Sequence, residues 1–210
     1  MKILLVVATR AEIALLAEHF NLPEKDFIVT PAFDVLITGV GMTATAFALG
    51  RHLSKNYGLV LNLGIAGCFN KSIPLGSLFN ITADSFYELG AEDKNDFLTI
   101  ETLGFGKSKY TANNNLLHDA VSALPKVTGI TVNRVHGNTE SIARVLKTGQ
   151  PTTESMEGAA VLYCCENAEL PCLQIRSISN YVEPRNRENW QIGLAIKNLN
   201  NWAIGFLTNT

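Results

Sequence analysis

The chain has 210 residues, 47% hydrophobic and 17% charged, with a net charge of −2. This suffices for one large domain with a substantial core and excludes a disordered chain. The near-neutral balance argues against a nucleic-acid binder built on a basic surface, and no run approaches the ~20 apolar residues of a membrane span.

The opening MKILLVVATRAE has the flavour of a signal h-region, but its apolar run is short. Arg10 and Glu12 follow it with no small-residue cleavage site. Residues 2–8 therefore read as a buried first strand. Thr9 is placed to cap a helix from Arg10 to Phe20. Glu12 falls in its first turn, just past the strand end. There it either complements the helix dipole or stands as a catalytic carboxylate. Strands are expected near 27–30 and 33–38.

Gly39-Val40-Gly41-Met42-Thr43-Ala44 then opens a helix running to about Lys55. The spacing fits the dinucleotide pattern G-x-G-x-x-G/A, which makes a nicotinamide-dependent oxidoreductase the competing reading. The acidic residue expected about 20 positions on is missing from the next strand, Leu59 to Leu63. Gly64-Ile65-Ala66-Gly67 reads as a glycine-containing turn that lets a ligand approach the backbone. Strands near 76–86, an acidic mobile loop at 88–96, a short strand at 97–103, a helix near 113–123, a strand at 127–136 and a short helix at 139–148 follow.

The most informative stretch runs from Thr152 to Arg187. Glu157 lies in an otherwise uncharged run, Met156 to Cys165. A helix apolar all round is a buried helix, and charges stay inside one only when paired or working. With Ser155 as N-cap, Glu157 sits in the first turn, where the dipole favours an ionised carboxylate. An ionised carboxylate only accepts hydrogen bonds, which suits the two donors of a vicinal diol such as a ribose 2′,3′ pair. The alternative is a structural pairing of Glu157 with Arg176.

Arg176 and Asn180 lie on the apolar strand Cys172 to Ser179 and just past its end. Simple alternation puts them on one face, roughly 13 Å apart along extended chain, about the reach of a nucleoside. Asn180 is at the C-terminal end, where open α/β sheets place their ligands. From Trp190 through Ile192, Ala195, Ile196, Leu199, Ala203 and Phe206 the apolar residues follow a helical period, predicting a terminal helix on the sheet.

Cys68, Cys164, Cys165 and Cys172 have no metal or redox spacing, and His19, His52, His118 and His136 form no ligand motif. Neither metal nor cofactor is expected, and reduced cysteines fit the cytoplasm. With no repeat or linker, residues 1–210 read as a single domain. Strands alternating with helices predict a three-layer α/β/α sandwich around a central mixed sheet.

Taken together, these residues resemble the nucleoside phosphorylase and nucleosidase superfamily from end to end. The resemblance is carried by the strand-helix start with Glu12, by Leu61-Asn62-Leu63-Gly64-Ile65-Ala66-Gly67, and above all by Ser155-Met156-Glu157 with Ile175-Arg176-Ser177-Ile178-Ser179-Asn180. Tyr87-Glu88-Leu89-Gly90-Ala91-Glu92-Asp93 and Ile178-Ser179-Asn180-Tyr181-Val182, with Arg185, Arg187 and Trp190, look like its futalosine hydrolase branch. The resemblance implies that Glu12 activates the attacking water and that Arg176 lies near it. Met156 and Glu157 would hold the ribose, Asn180 would sit at the base, and Ser179 and Ile65 are among the implied substrate-binding residues. Asn180 stands where adenine-cleaving nucleosidases carry an Asp that protonates the base, and Ile65 where they carry Ser. Arg185 and Arg187 are candidates for the substrate tail. Also implied are a small-molecule nucleoside substrate and a homodimer or larger homo-oligomer in which a neighbour's loop closes the site. Cleavage of adenosine thioethers or of another purine nucleoside, phosphorolysis, and non-catalytic nucleoside binding are the alternatives.

Overall fold

The computed structural model describes residues 2–94, 96–113 and 118–209. The first strand, β1 (Lys2–Val7), shows why the chain folds in layers. Ile3, Leu5 and Val7 point into one core, and Leu4 and Val6 into another. Alternation along a strand buried on both faces requires helices on both sides.

The first core is closed by α1 (Ala14–His19) and α6 (Ile192–Thr208), the second by α2 (Met42–His52) and α5 (Gly158–Asn167). Between them runs a mixed sheet. Its strands are β10 (Thr153–Ser155), β9 (Lys126–Thr131), β5 (Leu78–Phe86), β11 (Cys172–Tyr181), β4 (Tyr57–Cys68), β1, β3 (Phe33–Ile37) and β2 (Phe27–Val29), in that order, with β8 (Lys109–Thr111) on β5. This is the expected α/β/α arrangement. Because β10 also pairs with β4, the strands β4, β11, β5, β9 and β10 close on themselves at one end of the sheet.

Five expectations are corrected. Residues 64–67 are not a turn: β4 runs straight through them, paired with β11 on one side. The helix expected from Arg10 is split into a 3-10 turn, Arg10–Ile13, and α1. The acidic stretch at 88–96 is not a loop. Gly90–Asp93 (β6) within it pairs with Asp96–Thr99 (β7) in an exposed hairpin, with Lys94 at φ 56° after β6. With no buried face, that hairpin left no alternation to read. The helix expected near 113–123 is the single turn α3 (Asp119–Ser122), and 114–117 lie outside the described residues. The strand expected at 127–136 ends at Thr131, while α4 (Thr139–Thr148) stands where expected. Among the described residues, no helix is long and apolar enough to cross a membrane.

Candidate active site

The site begins where β1 ends. The last β1 residue paired with β4 is Val6, opposite Asn62. β1 then gives way to the Arg10–Ile13 turn while β4 continues, so Glu12 is delivered beside Gly64 and Ile65. A Cβ on Gly64 would lie 2.9 Å from Glu12 Oε1 and 3.2 Å from Arg176 Cζ. Glycine is required there because two charged side chains use the space.

Glu12 is held at both oxygens. Its Oε2 accepts from the Thr9 amide at 3.0 Å and the Thr9 hydroxyl at 3.2 Å, and its Oε1 accepts from the Ile65 amide at 3.2 Å. Asn200 on α6 staples the turn from behind: its Nδ2 donates to the Glu12 carbonyl and its Oδ1 accepts from Leu16 N–H, both at 2.8 Å. Burial pushes the Glu12 carboxyl above the ordinary range. The Arg176 guanidinium and the Ile65 amide pull the other way, and the Glu157 charge adds to the rise. A carboxyl tuned upward in this way is a better proton acceptor near neutral pH.

Arg176 is 2% exposed, and its Nη1 donates to Asn62 Oδ1 at 3.4 Å. Its Nε and Nη2 are buried with no hydrogen-bond partner among the described residues. Unpaired buried donors on a cation are costly.

Ser155 is not the N-cap of α5; it ends β10, and Glu157 itself holds the cap position. Ser155 Oγ still accepts from Gly158 N–H at 3.3 Å. The Glu157 carboxylate reaches across to the start of α2, where its Oε1 accepts from the Gly41 amide at 2.8 Å. That contact answers the dinucleotide reading: the glycine turn gives its amide to a carboxylate of this chain. Glu157 is half-buried and forms no ion pair with Arg176. Its Oε2 accepts from no described residue. Met156, half-buried, bridges β10 and α5.

Asn180 lies four residues beyond Arg176 on β11 but opposite Gly67, only three beyond Gly64 on β4. β11 slips register between Ile178, opposite Ala66, and Asn180, opposite Gly67. The extra residue, Ser179, breaks alternation, so Arg176 and Asn180 do not share a face by simple parity as expected. Asn180 instead leans over Gly67, where a Cβ would meet its Nδ2 at 3.3 Å. Asn180 Nδ2 donates to the Tyr181 carbonyl at 3.1 Å, which fixes the amide's orientation. The Ser179 hydroxyl then donates to Asn180 Oδ1 at 2.8 Å. Each end of the amide keeps one free valence.

Arg185 and Arg187 are exposed, and both guanidinium groups sit over the Trp190 ring, at 5.0 and 5.7 Å from its centroid. The Arg185 amide donates to the Gly137 carbonyl at 3.2 Å, tying this loop to the segment after β9.

A family model described as the phosphorylase superfamily matches residues 2–204. The chain belongs to that superfamily. It is similar to a futalosine hydrolase from Streptomyces coelicolor, 33% identical over 83% of this chain and 78% of that protein. A futalosine hydrolase structure from Helicobacter pylori superposes with a TM-score of 0.84 at 15% identity, covering 100% of this chain and 98% of that one. A 5′-methylthioadenosine/S-adenosylhomocysteine nucleosidase from the same organism, solved with butyl-thio-DADMe-Immucillin-A, superposes equally well. Its TM-score is 0.84 at 16% identity, over 100% and 99% of the two chains. These superpositions establish the shared fold.

Several contacts around these residues escaped the sequence reading. The grip of Thr9 on the Glu12 carboxylate is one, and their capping-box spacing was a usable signal. Asn62 and Gln174 are polar residues inside apolar strands, the same signal that picked out Arg176. Glu154 and His136 had no such signal. Glu154, buried on β10 opposite Gly67, pairs with the His136 ring and accepts from the His136 amide at 2.9 Å.

Proposed function

We propose that this protein hydrolyses the N-ribosyl bond of a 6-oxopurine nucleoside, with futalosine as substrate and hypoxanthine as released base. The observation that carries the reading is the placement of Glu12. A buried carboxylate, anchored on Thr9 and Ile65, stands against Arg176 with its oxygens beside Gly64. A water held by Glu12 and the free Arg176 donors would be deprotonated as it attacks C1′ of the ribose. Breaking a ribosyl C–N bond passes through an oxocarbenium-like state. Glu157 Oε2 would accept from the sugar hydroxyls, and that contact strengthens as positive charge develops on the ring.

At the leaving group, the free lone pair of Asn180 Oδ1 would accept from N7–H while Nδ2 donates to O6. A 6-amino base presents the opposite pattern at that position. Asn180 cannot deliver a proton, so N7 takes its proton from water or from the base's own tautomers. The identity to a futalosine hydrolase over most of the chain supports the choice of nucleoside.

Water is favoured over phosphate on charge. Arg10 is turned away from the site, donating to the Leu22 and Pro23 carbonyls at 2.8 and 2.7 Å. The other candidate cation, Arg176, faces the Glu12 charge, and Glu12 in turn feels the Glu157 charge. A phosphate dianion would have to be desolvated against two carboxylates.

The resemblance also implies a homodimer or larger assembly. Val40, next to Gly41, and Phe47 on α2 are 57% and 68% exposed, apolar surface of the kind a second copy would cover. A cytoplasmic location is part of the same reading. The test is a panel of futalosine, inosine and methylthioadenosine scored by released base. Futalosine should lead; a lead by methylthioadenosine would move the protein to the adenosine-thioether class.

A further inference from the structure

Beneath the site lies a buried carboxylate that the chemistry above does not use. Asp84 on β5 is 1% exposed, and two hydrogen-bond chains end on it. Along the first, Arg176 Nη1 donates to Asn62 Oδ1 at 3.4 Å, Asn62 Nδ2 to Gln174 Oε1 at 3.1 Å, and Gln174 Nε2 to Asp84 Oδ2 at 2.8 Å. Along the second, the Ala159 amide donates to Thr131 Oγ1 at 2.7 Å, and that hydroxyl donates to Asp84 Oδ1 at 2.9 Å. Every donor points toward Asp84. An ionised carboxylate only accepts, so it sets the polarity of both chains, and aligned bonds of this kind reinforce one another.

The two chains begin at opposite sides of the site. One begins at Arg176, beside Glu12. The other begins in the first turn of α5, two residues after Glu157. Gly158 closes the gap, since a Cβ there would lie 3.0 Å from Asp84 Cγ. The helix start therefore packs directly on the carboxylate.

We infer that Asp84 is a positioning residue for both halves of the site, orienting Arg176 through Gln174 and Asn62 and seating Glu157 through Thr131 and the start of α5. The inference rests on the nucleosidase reading given above. When Glu12 takes a proton from water it no longer balances Arg176. Asp84 is the buried carboxylate still joined to that cation by hydrogen bonds. The groups facing Asp84 are Gln174 and Arg176 from β11, Thr131 from β9 and the start of α5; among them Arg176 carries the charge.

Asp84 is held there against its own burial. Desolvation pushes its pKa up to about 6, against the hydrogen bonds from Gln174 and Thr131 and the Arg176 charge. A folded-state value above the unfolded one means that the stabilising contribution is full below the unfolded pKa. It is lost as pH rises through about 6. Near neutrality the ionised group therefore weakens the fold, which is the mark of a residue kept for what it orients.

The test uses the full chain, with Asp84→Asn and the double variant Asp84→Asn with Gln174→Glu. The double variant exchanges amide and carboxylate, keeping each hydrogen bond and the net charge. On the nucleoside that the wild type cleaves best, Asp84→Asn should lower kcat by up to about 10²-fold, with a smaller change in KM. Its Tm at pH 7.5 should be equal to or above that of wild type, and the double variant should recover most of kcat. An unchanged kcat, or a loss that follows a fall in Tm, overturns the inference. If the wild type releases base from no purine nucleoside, the nucleosidase reading fails separately. The inference is then read from the Arg176 Nε–H resonance. It should shift or broaden in Asp84→Asn and return in the double variant; an unmoved resonance overturns it.

Discussion

The Gly41 amide donates to Glu157 Oε1 at 2.8 Å across 116 residues of sequence. One carboxylate oxygen is thereby committed to the protein, and the other accepts from no described residue. Glu157→Gln keeps the shape but can turn an NH₂ toward either Gly41 N–H or the sugar hydroxyls, all of them donors. Both binding and rate should fall, with kcat/KM down on the order of 10²-fold or more. Steady-state kinetics with intact KM and kcat would show that Glu157 does not hold the sugar.

Glu12→Gln separates chemistry from binding. Turnover should drop roughly 10²–10⁴-fold, while product base still binds by calorimetry. In the wild type, Glu12 must be ionised to accept a proton. Because burial raises its pKa, the acid limb of kcat/KM should lie above the ordinary carboxylate range, with activity falling as pH drops through it. The stability sign is opposite. The contribution of Glu12 to folding is full below the unfolded value of a glutamate and is lost as pH rises through its raised folded value. Glu12→Gln should therefore not lower Tm at neutral pH. Near-normal turnover in this variant would remove Glu12 from the reaction.

The Asn180 amide is fixed by Ser179 and Tyr181, and in the proposed reaction it would read the base. Asn180→Asp replaces the donor to O6 with an acceptor. The kcat/KM ratio of futalosine to its 6-amino counterpart should swing toward the amino substrate by about tenfold or more, because a mismatched buried group is left unpaired. An unmoved ratio would mean that Asn180 only shapes the strand end.

Trp190 gathers Arg185 and Arg187 over one ring. Guanidinium is the group best matched to a carboxylate, and futalosine carries an aromatic acid beyond the ribose. Removing both arginines should cut the preference for futalosine over inosine by roughly tenfold, and Trp190→Ala should do part of the same by removing the platform. Equal preference before and after would assign this loop to solvent alone.

Much of the frame was legible because the core strands and the terminal helix repeat their apolar residues with clean periods. Glu157, Arg176 and Glu12 stood out as charges in or beside apolar runs. The glycines of β4 misled for a physical reason. Gly64 and Gly67 are glycine not because the chain turns but because Arg176, Glu12, Asn180 and Val182 fill the space a Cβ would take, and sequence does not record who approaches. The parity of Arg176 and Asn180 was misjudged because one inserted residue, Ser179, leaves no compositional mark. β10 was missed because three residues are too few for a period. Its Glu154 meets His136 only through the closure of β10 on β4 and β9.

The central claim is that water, delivered by Glu12 and Arg176, attacks the ribose. Incubation with futalosine in H₂¹⁸O, with and without phosphate, tests it most directly. Hydrolysis predicts hypoxanthine release at equal rates in both buffers, with ¹⁸O in the C1′ hydroxyl of the ribose product. Phosphate-dependent turnover yielding an unlabelled ribose-1-phosphate would contradict it.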